Sequence, residues 1–261
     1  MKEYFISEID IEKLYHLSDI KIKLDSNKRQ HLLLTGKNGS GKTSLLLEIE
    51  KFLRAINDEK LSQVFDQYPT WINEAKKKVL SASSDSEKYA ADKDLKQCLG
   101  FLKKYSDGVQ INLNQYEGLE MMYHNGKFIT AYFPSERKAQ FMRPNGVENI
   151  TLENTYGIDE SAGDILLKYM VHLKTQQAYA RNEGDQTTAN QIQKWFDRFD
   201  SALQILLDEE SIHIEYDYKK YDFKIRQNGR EPFSFNELSD GYSSVIYIVS
   251  DLILRMDKNW L

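Results

Sequence analysis

His31-Leu32-Leu33-Leu34-Thr35-Gly36-Lys37-Asn38-Gly39-Ser40-Gly41-Lys42-Thr43-Ser44 holds three leucines in a row, then three glycines among six residues, then a lysine and two hydroxyl side chains. A run of leucines that short and that apolar predicts a strand at 31–35, covered on both faces. Beyond Gly41 the apolar residues Leu46, Ile49, Phe52, Leu53 and Ile56 recur at helical spacing and predict an amphipathic helix over 41–56. The octet between them, Gly36 to Thr43, fits G-x-x-x-x-G-K-S/T, and a strand before it with a helix after it is the setting in which that pattern acts. Glycines let successive backbone N–H groups turn inward as an anion nest, and the helix adds its positive end. The expected ligand is ATP with Mg²⁺. Gly36, Lys37, Asn38, Gly39, Ser40, Gly41 and Ser44 would line the phosphates, Lys42 would reach the β- and γ-phosphates, and the Thr43 hydroxyl would ligate the metal.

Working outward, Ile20, Ile22 and Leu24 alternate with polar residues as in a half-buried strand, with residues 4–11 as its partner. From 60 to 105 the pattern is helical and polar, with Leu61, Phe65, Tyr68, Trp71, Ile72 and Leu80 in one stripe and Leu95, Leu99 and Leu102 in another. The serine-rich run 81–86 reads as a linker between inserted helices. Strand alternation returns at Val109, Ile111 and Leu113 and again at 128–133, with Asn125-Gly126 as the turn between strands. Residues 161–207 are helical. Ile212, Ile214, Tyr216 and Tyr218, then Tyr221, Phe223 and Ile225, alternate as a β-hairpin, and Asn228-Gly229 turns the chain toward Phe233 and Phe235. The last element, 241–256, is apolar nearly all round and predicts a buried helix.

With 41% hydrophobic residues the chain has enough apolar material for a sizeable core, and a net charge of −5 argues against a uniformly basic coat for nucleic acid. A local basic region remains at Lys76-Lys77-Lys78 and Lys103-Lys104, for which a solvated helix face competes with nucleic-acid binding. Trp71 and Tyr68 fit either a core stripe or anchors for a partner protein. The single cysteine, Cys98, excludes an internal disulfide and reads as a buried thiol. The first residues lack a signal peptide's pattern, and no apolar run reaches the about 18 residues of a membrane helix, so a cytoplasmic location is expected. The five histidines show no metal-ligand spacing.

Leu238-Ser239-Asp240-Gly241-Tyr242-Ser243-Ser244 lies between the hairpin and the last helix, and alone it reads as a serine N-cap. Taken with the upstream loop, LTGKNGSGKTSLL and FNELSDGYSS resemble the Walker A and signature motifs of the ATP-binding-cassette superfamily. The resemblance is to its soluble branch of structural-maintenance-of-chromosomes, recombination-repair and overcoming-lysogenisation-defect ATPases, with many bacterial anti-phage defence proteins. It implies an α/β head with a mixed or antiparallel sheet, a helical insertion and a helical lobe. It also implies a homodimer or larger oligomer in which Ser239 and the Gly241 backbone of one subunit touch the γ-phosphate held by Lys42 of the other. Asp240 and Tyr242 depart from the usual L-S-G-G-Q. By position, Gln140 would match the glutamine that senses Mg²⁺, with Glu136 and Arg137 nearby; an exposed ion pair is the competing reading of those two.

The layout so implied is 1–58 for the N-terminal sheet and Walker A, 59–106 for the insertion and 107–160 for a β region with the loop between lobes. The helical lobe takes 161–208, and 209–261 holds the hairpin and signature helix. No apolar strand ending in Asp-Glu is present; Asp208-Glu209-Glu210 follows a helical pattern instead. The resemblance therefore implies that the Walker B strand and switch histidine come from following sequence or another chain, and that this chain alone hydrolyses ATP hardly at all. The expected function is the ATP-binding part of an ATPase whose ATP-driven dimerisation gates an effector protein, a nuclease or toxin, in anti-phage defence or DNA repair. The alternative is an ATP-dependent scaffold or sensor with little hydrolysis. Turnover abolished by Lys42→Ala separates the two.

Overall fold

Ile9 and Ile11 are paired with Ile111 and Val109 across an antiparallel ladder, and all four are buried. The computed structural model, which describes residues 3–134 and 141–257, builds its first sheet on that ladder. Strands β1 (Ile6–Leu14), β2 (Leu17–Lys23) and β3 (Val109–Leu113) run in the order β2-β1-β3, antiparallel throughout. The two-residue turn at Tyr15 and His16 sets the β1–β2 register. Helix α1 (Lys42–Asn57) lays Leu45, Phe52 and Ile56 on the core shared with the sheet. Each such side chain contributes about 1.5–3 kcal/mol by leaving water.

The insertion forms two helices, α2 (Tyr68–Ser81) and α3 (Asp85–Lys103), and α2 is preceded by a wide turn at Gln63–Gln67. Their linker is functional in the helical sense: the Ser84 hydroxyl accepts from the Glu87 N–H at 3.3 Å and caps α3. Leu80, assigned to a stripe by its spacing, is 86% exposed, because α2 ends one residue later, where α3 offers it no cover. Residues 128–133 form no strand. Asn125-Gly126 instead closes a short helix, α4 (Leu119–His124): Gly126 N–H donates to Tyr123 C=O at 2.8 Å and Lys127 N–H to Met122 C=O at 2.9 Å. The glycine takes φ of 66° there, which ends a helix as readily as it turns a hairpin.

The chain divides into two compact units, 1–130 and 131–261. In the second, α5 (Leu166–Asn182) and α6 (Gln186–Leu207) lie beside the meander β4 (His213–Asp217), β5 (Asp222–Arg226) and β6 (Phe233–Ser234), with α7 (Asp240–Met256) following. Aromatic rings dominate this core. Trp195 stacks on Phe199 with centroids 5.5 Å apart, and Phe196 on Phe223 at 6.0 Å.

Helix α7 is not apolar all round. Its buried face carries Asp251 and Arg255, and buried Asp257 follows its last turn. Arg255 donates to the backbone carbonyls of Tyr156, Gly157 and Glu160, while the Gly163 N–H donates to Asp251 at 3.0 Å. The helix thus straps down segment 156–163, which is irregular up to the 3₁₀ turn that opens at Ala162. A buried ion pair is retained here because it satisfies backbone carbonyls that no ladder serves.

Candidate functional site

The octet 36–43 forms a tight turn leading into α1. Gly36, Gly39 and Gly41 take φ of 153°, 79° and 88°, conformations that side-chain-bearing residues rarely adopt. Ser40 N–H donates to Lys37 C=O at 3.2 Å, and Leu45 N–H to Gly41 C=O at 2.9 Å, opening the helix. The Lys42 ammonium folds back onto the turn: its Nζ lies 2.8 Å from the carbonyl oxygens of both Gly36 and Lys37 and 3.4 Å from Ser40 Oγ. Those two carbonyls aim at the cation. The first turn of α1 carries no acidic residue and no side chain caps it, so the positive helix end faces the loop unneutralised.

Thr43 stands exposed in that first turn and Ser44 is half-buried beside it. These donors fit a polyphosphate: backbone N–H groups, one ammonium and a helix end. For Mg²⁺ the loop offers the Thr43 hydroxyl, and a metal carried on phosphate oxygens and water needs few protein ligands.

Sequence reasoning missed the floor of the loop. A Cβ placed on Gly41 would stand 2.8 Å from Leu17 Cδ1 and 3.7 Å from His16 Cε1, so the tip of the β1–β2 hairpin presses on the glycine that opens the helix. The two sites are far apart in sequence, and no local pattern marks that approach.

The predicted strand at 31–35 is absent. These residues belong to neither sheet, Leu33 is 85% exposed, and only Leu34 of the three leucines joins the core as a partly buried neighbour. A short apolar run specifies burial only when a partner strand lies beside it, and none does among the described residues.

Ser239 and Gly241 lie in the second unit, at the start of α7, and both are exposed. Ser239 holds the N-cap position, and its C=O accepts from Ser243 N–H at 2.8 Å, yet its hydroxyl caps nothing. A Cβ on Gly241 would meet nothing within 4 Å. Asp240 stands in the first turn, where its charge favours the helix but opposes a second anion. Ser135, Glu136, Arg137 and Gln140 fall outside the described residues. Asp208, the cap of α6, takes φ of 50°, and Glu209 accepts from Ser211 and Gln227, so the acidic run closes a helix.

No helix among the described residues is long and apolar enough to cross a membrane. No family model, curated protein or solved structure matches the chain.

Proposed function

We propose that the chain is the ATP-binding part of an ATPase of the ATP-binding-cassette type, with Mg²⁺ carried on the nucleotide. The observation that carries this reading is Lys42. Its ammonium is held by the two carbonyls at the mouth of a glycine turn, beside a helix end that no acid neutralises. In this reading the triphosphate replaces those carbonyls as the ammonium's main partner, the N–H groups of 39–43 surround the β-phosphate, and Thr43 touches the metal.

The exposed start of α7, with Ser239 and Gly241, supports a second phosphate contact supplied by another copy of the chain. ATP then acts as the joint between copies, and assembly follows nucleotide occupancy because the bound and unbound states differ in what the γ-phosphate touches. An effector nuclease or toxin gated by that assembly completes the proposal.

Equilibrium binding of a fluorescent ATP analogue with Mg²⁺, beside sedimentation with and without ATP, tests it. Binding that Lys42→Ala removes, and nucleotide-dependent dimers that Ser239→Arg prevents, are expected. Equal affinity for the wild type and Lys42→Ala would refute the site.

A further inference from the structure

Asn-Gly occurs four times in the chain, at 38–39, 125–126, 145–146 and 228–229. Asparagine is thermolabile, and most so before glycine, whose missing Cβ leaves its backbone nitrogen open to the side chain that precedes it. That nitrogen must shed its proton and reach the asparagine Cγ. A glycine N–H held in a hydrogen bond is withheld from the reaction.

The four pairs differ on this point. Gly126 N–H donates to the Tyr123 carbonyl at 2.8 Å in the turn that closes α4. The N–H groups of Gly39, Gly146 and Gly229 meet no acceptor among the described residues. Asn38 and Gly39 are both exposed, and a Cβ on Gly39 would meet nothing within 4 Å. Their turn is closed by Ser40 N–H on the Lys37 carbonyl at 3.2 Å, which leaves the Gly39 N–H outside the bond. Lys37 precedes Asn38, the Lys42 ammonium is drawn onto the same turn, and the positive end of α1 follows with no acid in its first turn. Positive charge favours loss of the Gly39 proton and the oxyanion that forms at Cγ. Asn145 lies in an irregular stretch and Asn228 between β5 and β6, with no helix start at either.

We propose that Asn38 is a site of spontaneous modification, converting to aspartate and isoaspartate, and that a nucleotide held by the loop blocks the conversion. The Gly39 nitrogen, its proton passed to a base in the solvent, attacks Asn38 Cγ. The new C–N bond forms as Cγ–Nδ2 breaks, and ammonia leaves with a proton from water. The cyclic succinimide then takes up water at either carbonyl: one opening leaves an aspartate, the other an isoaspartate whose main chain runs through the side-chain carbon. Nothing is oxidised or reduced. Either product sets a carboxylate among the N–H groups of 39–43, where it repels a phosphate. The modification does not depend on what the loop binds. The block does, and it rests on the nucleotide reading, in which a phosphate oxygen takes the Gly39 N–H. Loss of nucleotide affinity then records the time the chain has spent unliganded.

The test holds the full chain in heavy-oxygen water at mildly alkaline pH, with and without ATP and Mg²⁺. Each Asn-Gly peptide is followed by mass spectrometry, and an isoaspartyl methyltransferase counts isoaspartate. Heavy oxygen should enter at 38, and at 125 at least about fivefold more slowly. In urea, where the α4 turn is gone, the two rates should converge. ATP with Mg²⁺ should slow position 38, leave 145 and 228 as they are, and slow nothing in Lys42→Ala. The aged chain should bind the fluorescent ATP analogue about tenfold more weakly or worse, as fresh Asn38→Asp does, while Asn38→Ser should keep through ageing whatever affinity it starts with. Conversion at 38 no faster than at 125 in the folded chain would overturn the proposal. Conversion that ATP does not slow, in a chain that binds ATP through Lys42, would overturn the block. Conversion in a chain that binds no ATP would refute the nucleotide reading and leave the modification standing.

Discussion

Arg255 lies one helical turn beyond Asp251 on α7, its Nε donating to Asp251 Oδ1, and the two side chains are 3% and 1% exposed. Either residue alone would be a buried charge. Removing one partner of such a pair costs about 3–5 kcal/mol, so Asp251→Ala should lower the urea midpoint steeply. Arg255→Lys keeps the charge but loses the fork that reaches the carbonyls of Gly157 and Glu160, and should cost about 1–3 kcal/mol. Limited proteolysis should then find segment 156–163 first.

Asp257 accepts hydrogen bonds from the Tyr169 hydroxyl and from Trp195 Nε1, the latter at 2.6 Å. Burial holds its carboxyl above the usual carboxylate range, outweighing both bonds, which act the other way. A raised folded-state pKa means that the stability contributed by Asp257 is fully present below the unfolded value of 3.8 and is lost as pH rises through the folded one. The wild type should therefore gain on Asp257→Asn as pH falls through that window. Denaturation of both proteins across the acid range measures the difference, and a flat or inverted trend would remove the buried carboxylate from the explanation.

Lys42→Ala should abolish nucleotide binding while leaving the melting curve nearly in place, because the carbonyls it releases at Gly36 and Lys37 are reached by water. Glycine substitutions behave otherwise. Gly41→Ala meets both a left-handed φ and the Leu17 side chain, and should cost about 1–3 kcal/mol. At Gly39 the space is open and only the backbone term remains, so Gly39→Ala should cost less, about 1–2 kcal/mol. Urea titrations that placed Gly39→Ala below Gly41→Ala would contradict the contact with the hairpin tip.

Leu33 and Phe52 make a paired comparison. Leu33, 85% exposed, should tolerate serine within about 0.5 kcal/mol, whereas Phe52→Ala should cost about 3–5 kcal/mol at a site 1% exposed. A large loss at Leu33 would mean that the leucine run is covered in solution.

Periodicity located what depends on near neighbours. The hairpin 213–226, helices α5 and α6, and the pairing of residues 4–11 with the strand at Ile20 all follow from spacing within a dozen residues. The elements that spacing misplaced depend on distant partners. A leucine triplet reads alike whether or not a strand pairs with it, and Asn-Gly supplies positive φ to a helix end and a hairpin alike. The glycine turn into α1 was legible because its pattern lies within eight consecutive residues. The hairpin tip under Gly41 and the strap from Arg255 were not, since each joins residues with no shared local pattern.

The two units have separate hydrophobic interiors, one centred on Phe52 and Ile111, the other on Trp195 and Phe199. Heat need not dissolve both at one temperature. A calorimetric trace should resolve two overlapping endotherms, with Phe52→Ala moving one and Asp251→Ala the other, so that no single melting point describes the molecule.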